Sequence, residues 1–164
     1  MLSLQIALNI AILLCSLVAG LVFTFAVVVM PGLATLNDRE FLRAFQVIDR
    51  IIQNNHPVFL VVWVGSAVAV LASAFLGIPQ LEGVDRLLLI GAVAVYLLGV
   101  QLPTATINVP LNNQLQTLQL DAMDASSLAA AREAFEARWN QWNVIRTVLA
   151  TVTSILLLLL ISRL

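Results

Sequence analysis

Four apolar segments, each long enough to cross a bilayer as a helix, leave this chain few folds to choose from. They run from Leu4 to Met30, Pro57 to Ile78, Leu87 to about Val109, and Val144 to Ile161. A hydrocarbon core of about 30 Å needs about 20 apolar residues in helical form. Inside it every backbone polar group must be satisfied within the segment, which selects helices. The predicted fold is therefore all-α, an integral membrane four-helix bundle forming one domain over residues 1–164. The composition agrees, since 61% of residues are hydrophobic and 10% charged, against about 25% charged in a soluble domain. All eight basic residues are Arg and the net charge is -1, so the chain has no basic footprint for nucleic acid.

No Lys or Arg precedes Leu2–Met30, and the stretch is far longer than the roughly 7–15 apolar residues of a signal core. It is expected to be a retained spanning helix, with Cys15 as a small apolar member of it. Prolines punctuate the spans. Pro31-Gly32 is expected to stop the first, and Pro57 to open the second, where its missing N–H is harmless. Pro79 closes the second, and Pro103 should kink or end the third. Gly65, Gly91 and Gly99 read as points of close helix approach.

Two longer connections remain. In Leu33–Asn55, Asn37 and Glu40 have capping-box spacing. Phe41, Ala44, Phe45, Ile48, Ile51 and Ile52 then recur at helical spacing, with Arg39, Arg43 and Arg50 on another face, as in an amphipathic helix. In Leu111–Gln141, a turn near Asp121–Asp124 leads into a helical extension from about Ser126 to Trp142 that can run into the last span. Four spans put both connections on one side. Six Arg residues (39, 43, 50, 132, 138, 146) lie there against two (86, 163) opposite. That bias predicts cytoplasmic connections and outside termini; the membrane is expected to be a bacterial inner (cytoplasmic) one.

Three polar clusters land on the connection side: Asn54-Asn55-His56-Pro57, Asn108 to Asn113 around Pro110, and Trp139-Asn140-Gln141-Trp142-Asn143. Polar groups at one end of an apolar bundle are costly unless they pair or act. His56 is the only imidazole of the chain, the side-chain type suited to general-base chemistry near neutral pH, and is the candidate catalytic base. Its alternative is an interfacial residue starting a helix. Asn54, Asn55, Asn108, Asn112 and Asn113 are candidate substrate contacts, or else an amide network holding a kinked helix. Trp139, Trp142, Asn143 and Arg146 share a helix face. They would stack a flat ligand and hold its oxygen atoms, or form an aromatic belt. Arg146 requires a partner, either Asp49 or a ligand anion.

Phosphate loops, paired cysteines and a Ser nucleophile beside a base are absent from the sequence, and no common metal-ligand spacing occurs. No cofactor is expected, though haem on His56 and a bound quinone stay open. The expected partners are the membrane and a hydrophobic small molecule or lipid. Oligomer formation is left open.

Together, Met30-Pro31-Gly32-Leu33, Asn54-Asn55-His56-Pro57, Asn108-Val109-Pro110-Leu111-Asn112 and Trp139-Asn140-Gln141-Trp142-Asn143 resemble the anthrone oxygenase-like family of small membrane proteins, many of them described only as a domain of unknown function. The resemblance implies a cofactor-independent monooxygenase that uses molecular oxygen on a hydrophobic aromatic, anthrone-like substrate. The competing expectation is a non-catalytic membrane protein that binds a lipid, quinone or partner helix in the same polar-rimmed groove.

Overall fold

The computed structural model describes all 164 residues and contains five helices. Four are long and apolar enough to cross a membrane: α1 (Leu2–Ala34), α3 (Pro57–Gly77), α4 (Gly83–Gln116) and α5 (Ala125–Ile161). The shorter α2 (Asp38–Gln53) follows α1, and a single 3-10 turn, Leu120–Ala122, lies between α4 and α5. The chain is an all-α membrane protein with an amphipathic helix after the first span and a helical extension before the last.

Helix lengths place the parts. The 21 residues of α3 rise about 31 Å, which matches the hydrocarbon thickness. The 37 residues of α5 rise about 55 Å, so that helix projects well beyond it. Its N-terminal half packs with α2 and the end of α4 into a cap on the bundle. Two apolar cores result. Leu8, Cys15, Val18, Val70, Leu89, Tyr96, Ala150 and Leu157 belong to the core within the spans. Met30, Phe41, Leu42, Phe45, Leu115, Phe135 and Trp139 belong to the core within the cap. The outward faces of the spans carry exposed Leu13, Phe23, Val61, Phe75, Leu98 and Val148, as a lipid-facing surface requires.

Pro57 opens α3 and Pro79 lies just past its end, as expected, whereas the prolines within α1 and α4 do not end those helices. Pro31-Gly32 does not stop α1, and Pro103 neither ends α4 nor leaves it regular. Instead each helix continues through π-helical turns at Phe25–Val29, Leu97–Gln101 and Thr104–Asn108. Every one of these turns ends two residues before a proline: Pro31, Pro103 or Pro110. A proline ring crowds the carbonyl four residues back, here Val27, Gly99 or Thr106. Each of those carbonyls lies inside a π turn, where the wider backbone makes room for the ring. Thr104 and Thr106 also donate their hydroxyls to the Val100 and Leu102 carbonyls at 2.6 and 2.8 Å.

Starts and ends of helices follow local chemistry. The Glu40 N–H donates to Asn37 Oδ1 at 3.0 Å. The Ser127 N–H donates to Asp124 Oδ1 at 2.8 Å, a bond that holds the Asp124 carboxyl below its usual pKa. Arg132 donates to the Ala34 and Leu36 carbonyls at 3.1 and 2.9 Å, satisfying the C-terminal end of α1. Between α2 and α3, Asn55 takes a left-handed φ of 57°, a conformation that Asn tolerates better than most residues.

The inner face of α2 is rotated from the expected one. Phe41, Leu42, Phe45, Gln46 and Asp49 are buried, whereas Ile51 is exposed. The rotation follows from hydrogen bonding, because Gln46 Nε2 donates to the Leu115 and Leu118 carbonyls at 2.8 and 3.1 Å. Those bonds tie α2 to the end of α4.

Gly99 permits close contact between α4 and α5: a Cβ there would stand 2.5 Å from Leu149 Cδ1 and 3.2 Å from its Cβ. Gly99→Val should destabilise the bundle by about 1–3 kcal/mol, the usual cost of overpacking. A denaturant titration of the detergent-solubilised protein checks this. A midpoint equal to wild type would contradict the close approach.

Candidate functional site

Where the two cores meet, a cavity of about 170 Å³ opens between all five helices. Its position is set by α3, whose first two turns supply Phe59 and Trp63 to the wall. That places the cavity at the level where the bundle enters the hydrocarbon. The apolar wall also takes Leu21, Val22 and Phe25 from α1, Phe45 and Ile52 from α2, and Val109 from α4. Its polar members are Asp49, Thr104, Asn108, Asn112, Asn143 and Arg146, with Trp139 among them. Two of the π turns contribute directly, since Phe25, Thr104 and Asn108 all belong to them. Such turns re-aim side chains and are frequent at functional sites.

Arg146 is 4% exposed, and its expected pairing with Asp49 does not form. Instead Nη1 donates to Thr104 Oγ1 at 2.9 Å and Nη2 to Asn143 Oδ1 at 3.0 Å. Asn143 is oriented in turn, its Nδ2 donating to the Val22 carbonyl at 3.0 Å. The guanidinium also lies over the Trp139 ring, 5.8 Å from the centroid. Two buried polar atoms find no partner anywhere in the protein: Arg146 Nε and Asn108 Oδ1. Both residues are cavity walls. One offers a donor and the other an acceptor, and unsatisfied buried groups are rare enough to require an explanation.

A second network occupies the α2 side. Trp139 Nε1 donates to Asn112 Oδ1 at 2.8 Å, and Asn112 Nδ2 donates to Asp49 Oδ1 at 2.8 Å. Gln116 Nε2 reaches Asp49 Oδ2 at 2.9 Å and Gln53 Nε2 reaches it at 3.3 Å. Three neutral amides thus hold a carboxylate that is 2% exposed.

The structure therefore brings together Asn108, Asn112, Trp139, Asn143 and Arg146. It does not bring the remaining sequence candidates to the cavity. Asn54 and Asn55 are exposed residues of the α2–α3 turn. His56 is exposed at the N-terminal boundary of α3 and makes no side-chain cap hydrogen bond. Asn113 is exposed and accepts from Gln53 Nε2 at 2.9 Å. Trp142 is half-buried away from the cavity walls. Sequence reasoning passed over Phe45, Trp63 and Thr104 as site members and treated Asp49 only as an ion-pair partner. A signal for Asp49 existed: Phe41, Phe45 and Asp49 are spaced by four residues, so they fall on one helix face.

No group of three His, Cys, Asp or Glu side chains is arranged to hold a metal ion. No curated protein and no solved structure matches the chain. A family model described as anthrone oxygenase does match, over residues 49–156, more than half of the chain. The matched stretch encloses every polar wall of the cavity. On that match, with the membrane-helical fold around it, this chain belongs to the anthrone oxygenase family.

Proposed function

We propose that this protein is a membrane-embedded, cofactor-independent oxygenase of a hydrophobic aromatic substrate, and that the cavity around Arg146 is where the ring system binds. The observation that carries this reading is a buried guanidinium with a free Nε–H and no carboxylate partner. Burying such a charge is costly. An oxygen anion formed on a bound ring would give it the missing acceptor, while Asn108 Oδ1 would receive a ring hydroxyl.

The walls suit a flat ligand. Phe59 and Trp63 stack with centroids 5.6 Å apart and 15° between planes, and Phe25, Phe45 and Trp139 complete an aromatic surround. An enclosed space of about 150 Å³ holds a benzene-sized ring, so a cavity of about 170 Å³ encloses one ring of a larger system. A tricyclic substrate enters by one edge, its other rings lying toward the lipid. Entry from the bilayer fits a substrate that dissolves there.

The reaction converts a ring methylene and molecular oxygen into a ketone and water. Loss of a methylene proton gives a carbanion whose charge delocalises onto the ring oxygen, beside Arg146. One electron passes to oxygen, and the radical pair combines to a peroxide anion, which takes up a proton to give the hydroperoxide. Loss of the second methylene proton breaks the O–O bond, leaving one oxygen atom in the ketone and one in water. Arg146 stabilises the charge that develops, a contribution typically of about 10²–10³ in rate. The Arg-rich side, which carries α2 and the α5 extension, is proposed to face the cytoplasm of a bacterial inner membrane.

An oxygen electrode distinguishes this reading from a lipid- or quinone-binding role. Nanodisc-reconstituted protein given anthrone should consume one oxygen molecule per ketone formed, faster than protein-free nanodiscs. Saturable anthrone binding without accelerated oxygen uptake would favour the non-catalytic reading and contradict this one.

A further inference from the structure

The proposed reaction needs a group that removes the methylene proton, and we infer that this proton acceptor is Asp49. The assignment rests on the proposed oxygenase reading and adds to it the identity of the base. Asp49 projects from the inner face of α2, is 2% exposed, and is a wall of the cavity. His56, the other candidate, is exposed and contributes nothing to the walls.

The carboxylate is held without being neutralised. The ion pairs of the protein join Arg43 to Asp121, Arg132 to Asp38 and Glu136, and Arg163 to Asp85. None involves Asp49. Its partners are the amides of Asn112, Gln116 and Gln53. A carboxylate has about four lone-pair sites, and these amides use three. Oδ1 accepts a single bond, from Asn112, and keeps capacity for a proton. A buried carboxylate that meets only neutral donors is expensive to maintain. No guanidinium stands against it to block a proton from reaching Oδ1.

Its orientation is imposed from outside. The Trp139 indole donates to Asn112 Oδ1, which turns the Asn112 amide so that Nδ2 faces Asp49. Gln116 Nε2 also donates to the Gln46 carbonyl at 3.0 Å, fixing the second amide. The cavity thus has an anionic base on α2 and an unpaired cation on α5 that do not bond to one another. A ring system lying between them would lose its proton to Asp49 while its oxygen charge gathers at Arg146. Asp49 then returns that proton to the peroxide formed with oxygen. It accepts the second methylene proton as the O–O bond breaks, and gives it to the departing hydroxide as water. The carboxylate is regenerated at the end of each turnover.

The test uses the whole protein in nanodiscs with anthrone as the probe, comparing wild type with Asp49→Asn, Asp49→Glu and His56→Ala. Three quantities are measured: anthrone binding by tryptophan quenching, anaerobic exchange of methylene hydrogen for solvent deuterium, and oxygen uptake. Removing a general base typically costs about 10²–10⁴-fold. Asp49→Asn should lose exchange and uptake in that range while still binding anthrone, Asp49→Glu should recover part of both, and His56→Ala should match wild type. If Asp49→Asn does not yield folded protein, Asp49→Glu carries the test, because a carboxylate displaced by one methylene should slow exchange without abolishing it. Wild-type exchange in whichever Asp49 variant folds, or loss of exchange in His56→Ala, would overturn the assignment alone. Wild-type protein that shows neither exchange nor uptake would overturn the proposed function together with it.

Discussion

Arg146→Met should inactivate the protein without destabilising it. Arg146 is buried and has no anionic partner, its bonds going to Thr104 Oγ1 and Asn143 Oδ1. A charged residue in a membrane helix costs roughly 2.5–3.5 kcal/mol on insertion scales, and methionine removes that cost while keeping a long, adaptable side chain. Against this, Asn143 Oδ1 loses its donor, a penalty of about 1–3 kcal/mol. Thr104 loses less, because its hydroxyl still donates to the Val100 carbonyl. The two effects leave the stability of the variant at or above that of wild type. Oxygen uptake should nevertheless fall by about 10²-fold or more, as when a group that stabilises developing charge is removed. Thermal unfolding in detergent and an oxygen electrode measure the two quantities on one preparation. A destabilised variant that keeps its turnover would reverse both signs and assign Arg146 to structure alone.

Trp139→Ala should produce the largest loss of stability. The indole is 4% exposed and is packed by Phe25, Phe45 and Phe135, with ring centroids at 5.7, 5.3 and 6.2 Å. Deleting a buried ring of this kind costs about 3–5 kcal/mol, and here it also widens the cavity and frees Asn112. Trp139→Phe separates these effects. Phenylalanine keeps most of the packing but leaves Asn112 Oδ1 without its donor, at about 1–3 kcal/mol. Because Asn112 orients Asp49, Trp139→Phe should lower turnover more than it weakens anthrone binding. Equal stability of Trp139→Ala and wild type in a denaturant titration would contradict the packing described for the cap.

The architecture was largely legible because its signals are strong and local. Runs of about 20 apolar residues specify spans, and the Asn37 and Asp124 caps sit where side-chain chemistry places them. Pro57 and Pro79 bound α3 as expected, but Pro31 misled because a proline states only what the backbone cannot do. Whether a helix ends, kinks or widens into a π turn depends on the tertiary packing that holds it. Helix period explains the site in the same way. Asn108 and Asn112 are four residues apart and share a face, whereas Asn113 is turned about 100° further round. Trp139, Asn143 and Arg146 follow one inward stripe, with Trp142 about 60° off Trp139 and about 100° off Asn143. Asn54, Asn55 and His56 lie in a turn, where no helical period governs direction. Their clustering in sequence carried them to the right end of the bundle but not into the cavity. Asp49 was harder to read because a lone acid among Arg43, Arg50 and Gln53 looks like solvated surface. Only the docking of α2 against α4 turns it inward.

The most direct test of the account follows the oxygen atoms. Nanodisc-reconstituted wild-type protein and Arg146→Met are each given anthrone under ¹⁸O₂, and the ketone and water are analysed by mass spectrometry. Wild type should form ketone well above the protein-free rate, with one labelled atom in the ketone and the other in water, and Arg146→Met should fall to background. Equal rates in the two proteins, or ketone whose oxygen comes from unlabelled water, would contradict an oxygenase site built around Arg146.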